Sequence, residues 1–297
     1  MASKRRIKHL KSTREKLVVK MSNLDFSKIY SYSKLRLFEN CPQHYYFNYL
    51  DPEISPIKKQ FIKPRDYNVR GQAVHNAITL FYHLAEQKRT FNKLKKCLSQ
   101  CWFSEINPQK KMPLEEMGGF KNLQHERRTY AESLKLLKNF FYMEEQNPDL
   151  FYIPTNKIKD SFCDYEQMIK SIGEKHYISG KFDRIDKLAD NTLRIVDFKT
   201  SKKESDQFQL IFYKLLAELN FNLPVRLVSF YYLNKKEMVD FEVSHIDKNI
   251  IKREVAEKIG KIEETKSFLP CLNGLCHHCD FFEICPARKI INSKKHG

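Results

Sequence analysis

The sequence predicts a mixed α/β core flanked by helices, and three observations predict it. Apolar and polar residues alternate over 175–185 and 192–199, the two-residue period of strands. Residues 208–219 form an apolar, helix-length segment. It is followed by two short β-branched and aromatic runs, 225–233 and 237–243. Before residue 150 the period is helical. Strand, strand, helix, strand, with helices on either side, is the order of a mixed sheet covered by helical layers.

Taken in order, residues 1–22 read as a basic flexible arm. Residues 31–50 read as a helix with Leu35, Phe38, Tyr45, Tyr46 and Tyr49 on an aromatic face, interrupted at Cys41-Pro42. Pro52, Pro56 and Pro64 make 51–69 a loop. Over 71–85, Val74, Ile78, Phe81 and Ala85 fall on one helical stripe. Helical periodicity continues through 90–147, broken near Pro108, Pro113 and Gly118-Gly119. The character changes after Pro154, and 247–266 closes the core as a charged helix. The organisation expected is an arm (1–22), a helical part carrying Cys41 and His75 (23–89), a helical insertion (90–150), an α/β core (151–266) and a cysteine-rich end (267–297). Tyr45, Tyr46 and Phe47 are either base-stacking rings or core.

Composition narrows the function. The 297 residues carry 53 Lys+Arg against 36 Asp+Glu, a formal charge of +17. The first twenty residues hold eight Lys/Arg and one Glu, so +10 remains without them. That excess suits a polyanionic partner, because basic side chains release the counterions of phosphates. No apolar run reaches the length of a membrane span, and the chain is read as cytoplasmic. No Gly-x₄-Gly-Lys-Ser/Thr phosphate loop is present, so any motor is a separate chain.

The chemistry concentrates in Ile178-Ser-Gly-Lys-Phe-Asp183-Arg-Ile-Asp186 and Arg194-Ile-Val-Asp197-Phe-Lys199-Thr200. On a strand, Asp197 and Lys199 share a face while Phe198 points into packing. Asp183 lies on a strand able to pair with that one through a turn at Ala189-Asp190-Asn191. Two carboxylates meeting there form an oxygen-rich site for Mg²⁺ or Mn²⁺. A neighbouring lysine can orient water and offset charge on phosphate. Gly71-x₃-His75 sets an imidazole near a helix start, and Gln209-x₃-Tyr213 sets an amide and a phenol on one helical face.

Four of the eight cysteines fall in the last 27 residues. Cys276-x₂-Cys279-x₅-Cys285 is a set of three thiolates that needs a fourth ligand. Spacing allows Zn²⁺ completed by Cys271, His277 or His278, or a [4Fe–4S] cluster. Cys97, Cys101 and Cys163 read as ordinary helix or strand residues.

In this order, Gly-x₃-His, Gly-x₂-Asp, Asp-x-Lys and Gln-x₃-Tyr resemble the motifs of the RecB-like branch of PD-(D/E)XK nucleases. The segment from Ser31-Tyr-Ser33 through Cys41-Pro-Gln-His-Tyr45-Tyr-Phe resembles that branch's N-terminal part. The resemblance spans about 27–290 and implies a restriction-endonuclease-like fold. It implies that His75, Asp183, Asp197 and the backbone carbonyl of Phe198 bind Mg²⁺ or Mn²⁺, and that Lys199 positions the attacking water. Gln209 and Tyr213 would hold the DNA strand or support the site. The cysteines are similar to those of CRISPR-associated RecB-like exonucleases and the AddB nuclease domain, which implies a [4Fe–4S] cluster on Cys41, Cys276, Cys279 and Cys285. The activity implied is hydrolysis of DNA phosphodiesters. The resemblance implies an exonuclease on single-stranded ends, in CRISPR adaptation or DNA repair and recombination, beside a separate helicase or CRISPR integrase chain. The alternative is a non-catalytic, iron–sulfur- or zinc-stapled DNA-binding module on the same fold.

Overall fold

The computed structural model describes residues 25–106, 118–146, 168–201 and 206–293. The basic arm, Pro108, Pro113, Pro154 and Cys163 lie outside them. No helix among the described residues is long and apolar enough to cross a membrane.

Two sheets form the framework. The first has order β1-β3-β2, from Ile29–Ser31 (β1), Met168–Ser171 (β2) and Tyr177–Gly180 (β3). The second has order β4-β5-β6-β7, from Arg184–Lys187, Leu193–Lys199, Val225–Tyr232 and Glu237–Glu242. Its central pair β5/β6 is parallel and both outer pairs are antiparallel, so the sheet is mixed. A parallel pair needs a long crossover. That crossover is helix Gln207–Phe221, capped by the Asp206 side chain accepting the Phe208 N–H at 3.0 Å.

Helices α1 (Tyr32–Asn40) and α2 (Pro42–Tyr49) meet at Cys41, whose backbone is extended. Ser31 caps α1 by accepting the Lys34 N–H at 3.2 Å, and Pro42 occupies the first position of α2, where its missing N–H costs nothing. After the short α3 (Ile54–Ile57), helix α4 runs Asp66–Tyr82. It begins five residues before the apolar stripe at 71. Arg65 caps it in an extended conformation, and Asp66 then opens the helix with a carboxylate at its positive end. Phe91–Ile106 (α5) and Leu123–Gln146 (α6) follow, and the crossover after β5 is α7. Lys248–Glu264 is α8 and Arg288–Ser293 is α9.

The core is two apolar layers on opposite faces of the second sheet. Val196, Phe198, Tyr231 and Leu233 pack under α4, α5 and α6, through Ala73, Ala77, Phe81, Leu98, Trp102 and Phe140. Ile185, Ile195, Val228 and Phe230 pack under α7 and α8 and against Ile178 of the first sheet. Because β5 is covered on both faces, it is buried along nearly its whole length. Helices α5 and α6 therefore supply half the cover of the central strands. Tyr45 is 1% exposed and Phe47 is buried, so these rings belong to the core instead of facing bases. Cys97 and Cys101 are buried in the helical layer.

One reading of the sequence is corrected. Residues 175–185 do not form one strand: β3 ends at Gly180 and β4 begins at Arg184 in the other sheet. Arg184 pairs with Val196, so continued pairing would set residue 182 opposite Phe198. The Phe198 N–H instead donates to Asp183 Oδ2 at 3.0 Å, and Phe182 turns into the core against Tyr213 and Phe221. A carboxylate has replaced a ladder acceptor, which removes Asp183 from the strand and fixes it at the strand's mouth.

Candidate active site

Asp197 and Lys199 are two residues apart on β5 and face α7, as the strand period requires. One turn into α7, Gln209 meets both. Its Nε2 donates to Asp197 Oδ1 at 2.8 Å, and its Oε1 accepts from Lys199 Nζ at 2.8 Å. Lys199 Nζ also lies 2.7 Å from Asp197 Oδ2. The three side chains close a ring, and Lys199 has little conformational choice left. Tyr213, one turn further, is bonded to Gln209. Burial raises its hydroxyl pKa well above the phenol range, and the charges of Asp197 and Asp183 raise it further.

His75 arrives from the other face. Helix α4 lies close over the end of β5, where a Cβ on Gly71 would meet Thr200 Oγ1 at 3.5 Å. From there His75 Nδ1 reaches Asp183 Oδ1 at 2.9 Å, with its ring edge-on to Phe198. Residues 75, 183, 197, 199, 209 and 213, spread over more than a hundred positions of sequence, thus converge at the open end of β4.

The electrostatics are those of crowded carboxylates. Burial, then the neighbouring charge of Asp183, push Asp197 up to about 6 against the opposing pull of Lys199. Burial also disfavours charge on Asp183, but His75 and the Phe198 N–H outweigh it and hold this carboxyl below its usual range. Burial disfavours protonation of His75, yet Asp183 and Asp197 together raise its pKa. His75 and Asp183 thus share a hydrogen bond, with the second carboxylate of Asp197 beside them.

This donor set fits a divalent cation. A buried oxygen, Asp197 Oδ2, accepts no hydrogen bond from any described residue, its contact with Lys199 being an ion pair of poor hydrogen-bond geometry. Two adjacent carboxylates and an imidazole are hard-to-borderline ligands suited to Mg²⁺ or Mn²⁺. As they stand the donors are engaged with one another. No group of three or more His, Cys, Asp or Glu among the described residues is arranged to hold a metal ion. A cation here must displace the proton His75 shares with Asp183, which ties binding to pH.

Charged residues that the sequence reading left without a role hold the helical layer to the same strand. Arg184, 2% exposed, donates from Nε to Asp186 Oδ1 at 2.6 Å and from Nη1 to Tyr82 Oη at 2.9 Å, and pairs with Glu144. Arg194 completes Asp186 with bonds of 3.0 and 2.7 Å. Tyr231 donates to Glu144 Oε1 at 3.0 Å. The signal lay in the paired strands β4 and β5, where Arg184, Asp186 and Arg194 fall on one inward face.

Cysteines distant in sequence gather in one place. Cys41, Cys271, Cys276, Cys279 and Cys285 line one cavity of about 60 Å³, walled also by Leu272 and Phe282. Backbone N–H groups reach two of the sulfurs: Cys271 donates to Cys41 Sγ at 3.4 Å and Asn273 to Cys276 Sγ at 3.3 Å. Burial and the nearby sulfurs of Cys41 and Cys285 push the Cys279 thiol up to about 11. His277 and His278 do not line the cavity. His277 packs on Phe282, and the His278 carbonyl accepts from Arg65.

No curated protein sequence matches this chain. The crystal structure of SSO0001 aligns with 93% of this chain and 94% of its own length at 13% identity and a TM-score of 0.37, a level from which nothing is transferred. A family model described as the PD-(D/E)XK nuclease superfamily matches residues 29–286, from the first strand past the last cavity cysteine, and the chain belongs to that superfamily.

Proposed function

We propose that this protein is a metal-dependent deoxyribonuclease of the RecB-like branch that hydrolyses DNA phosphodiesters from single-stranded ends. The observation that carries the reading is the ring of Asp197, Lys199 and Gln209 set beside the His75–Asp183 pair. His75, Asp183, Asp197 and the Phe198 carbonyl hold Mg²⁺ or Mn²⁺. When bound, the ion acts as a Lewis acid on the phosphate and makes water a stronger nucleophile. The protein's own groups do the positioning. His75 gives up its proton so that its nitrogen becomes a ligand. Lys199, fixed between Asp197 and Gln209, holds the attacking water and offsets charge gathering on the phosphate. Tyr213 stays protonated at neutral pH because of its burial, so it remains a neutral support for Gln209. Water adds at phosphorus, the bond to the leaving sugar oxygen breaks, and the products are a phosphate monoester and a free hydroxyl. The ordered motifs support the RecB-like assignment and end-directed cutting of single strands. The setting is CRISPR adaptation or DNA repair, in the cytoplasm, beside a separate helicase or integrase chain.

The cavity cysteines Cys41, Cys276, Cys279 and Cys285 hold a [4Fe–4S] cluster. A single Zn²⁺ draws four thiolates to about 2.3 Å and leaves no space between them. A cavity with five cysteines among its lining residues, with backbone N–H groups aimed at two of the thiols and no imidazole, supports a cluster. Cluster ligation ties residue 41 to residues 276–285 and so closes the chain around the nuclease core.

The test is anaerobic purification followed by assay on end-labelled single and double strands with Mg²⁺ or Mn²⁺. Stepwise loss from single-stranded ends by the wild type, and none by Asp197→Ala, is expected. DNA binding without cleavage under either metal selects the alternative, a binding module on this fold.

A further inference from the structure

Helix α4 is tied to the start of β4 at two places, two turns apart. His75 Nδ1 meets Asp183 Oδ1 at 2.9 Å. Seven residues further along the helix, Tyr82 Oη accepts from Arg184 Nη1 at 2.9 Å. Seven residues are close to two full turns, so His75 and Tyr82 lie on one face of α4. Asp183 and Arg184 are consecutive, so that single face grips two adjacent residues. The second grip is itself anchored. Tyr82 donates to Glu144 Oε2 of α6, and Glu144 also pairs with Arg184 and accepts from Tyr231 at 3.0 Å. Tyr82 and Tyr231 are both buried.

We infer that Tyr82 is a positioning residue for His75: its hydroxyl, held by Arg184 and Glu144, fixes how α4 lies over β4 and so where the imidazole stands against Asp183. The inference rests on the metal-site reading proposed above. A helix held at one point can pivot about it, and a second tie about 10 Å along the axis removes that freedom. A ligand that shifts by a fraction of an ångström no longer meets a cation shared with two carboxylates. The hydroxyl is not needed for charge balance. Arg184 and Arg194 face Asp186 and Glu144, two positive charges against two negative. Without the Tyr82 hydroxyl, Arg184 keeps both carboxylates and Glu144 keeps Arg184 and Tyr231. Its removal therefore loosens α4 without stranding a buried charge. Tyr231 makes the same kind of bond to the same carboxylate, but it stands on β6, so its removal leaves the Tyr82–Arg184 bond in place.

The experiment compares full-length wild type, Tyr82→Phe, Tyr231→Phe and Glu144→Gln, titrated with Mn²⁺ in the absence of DNA. Free Mn²⁺ is read by electron paramagnetic resonance, and urea midpoints are measured in chelator. Each Tyr→Phe change deletes one buried hydroxyl bonded to Glu144, so the two urea midpoints should fall by similar amounts. The Mn²⁺ affinities should part. Tyr82→Phe is expected to raise Kd about 10-fold, and Tyr231→Phe to leave it within about twofold of the wild type. Glu144→Gln keeps the shape of the side chain but weakens the acceptor of Tyr82, and it too is expected to raise Kd. Equal Mn²⁺ affinity in the two Tyr→Phe variants overturns the positioning role, since that is what a purely structural clamp gives. Where Tyr82→Phe does not fold, wild-type affinity in Glu144→Gln overturns it. A wild type that binds Mn²⁺ but cuts no DNA overturns the nuclease reading alone, and a wild type that binds no Mn²⁺ overturns both.

Discussion

Replacing Asp197 by Asn should make the metal-free protein more stable while abolishing cleavage. Burial and Asp183 push the Asp197 carboxyl from 3.8 up to about 6. A carboxyl whose folded pKa is raised binds its proton more tightly in the native state. Its stabilising proton is fully present below pH 4 and lost as pH rises through 6. Above that pH the folded chain carries a charge it disfavours by about two pKa units, or about 3 kcal/mol at 1.36 kcal/mol per unit. Asparagine keeps the shape and can still accept from Gln209, but it carries no charge. A gain of about 1–3 kcal/mol at pH 7.5 is expected, a rise of several degrees in Tm. The assay is urea and thermal unfolding of both proteins in chelator at pH 7.5 and at pH 4.5. The gain should shrink towards zero at the lower pH. Adding Mn²⁺ should then stabilise the wild type, by about 2.7 kcal/mol at a hundred times Kd, and leave Asp197→Asn nearly unmoved. A variant less stable than the wild type in chelator at pH 7.5 refutes the reasoning, because Asp197 would then be a structural ion pair and not a strained ligand.

Three other outcomes follow from the same structure. Gln209→Leu removes both bonds that fix Lys199 and Asp197, so kcat should fall about 10- to 100-fold while DNA affinity in Ca²⁺ changes little; unchanged turnover in single-turnover assays counts against the ring. Glu144→Ala leaves Arg184 buried with its other partners only, and urea unfolding should show a loss of about 3 kcal/mol, a loss under about 1 kcal/mol contradicting the clamp. Burial pushes Lys34 down to about 8, and its ammonium bonds the Ser27 and Ile29 carbonyls at 3.0 Å each. The unfolded chain therefore binds more protons between about pH 8 and 10.5, and wild-type stability should rise relative to Lys34→Met across that window; parallel pH profiles for the two proteins count against it.

Much of the site was legible because its geometry is local. Asp197 and Lys199 share a strand face, and Gln209 and Tyr213 share a helix face; both follow from residue periods alone. The Cys276, Cys279 and Cys285 spacing is equally local. What stayed hidden depends on partners distant in sequence. The break between Gly180 and Arg184 cannot be read from alternation, since Phe182 and Asp183 continue the pattern of a strand. Only the Phe198 N–H, fifteen residues away, shows why the ladder stops. The start of α4 at Asp66 was obscured because its first turn precedes the apolar stripe. The Arg184–Asp186–Arg194 cluster was visible as charges on an inward face, but Glu144 and Tyr82 come from separate helices and no spacing announces them. Helices α5 and α6 read as an insertion because their period is helical. Their apolar stripes are what cover Val196 and Phe198.

The central claim is that His75, Asp183 and Asp197 share one cation. Anomalous diffraction from crystals soaked in Mn²⁺ tests it most directly. The account predicts a manganese peak within about 2.5 Å of the His75 imidazole and both carboxylates, with the ring turned from its bond to Asp183, and no peak there in Asp197→Asn. A protein that cuts DNA with Mn²⁺ while its manganese lies elsewhere, or touches neither carboxylate, contradicts it.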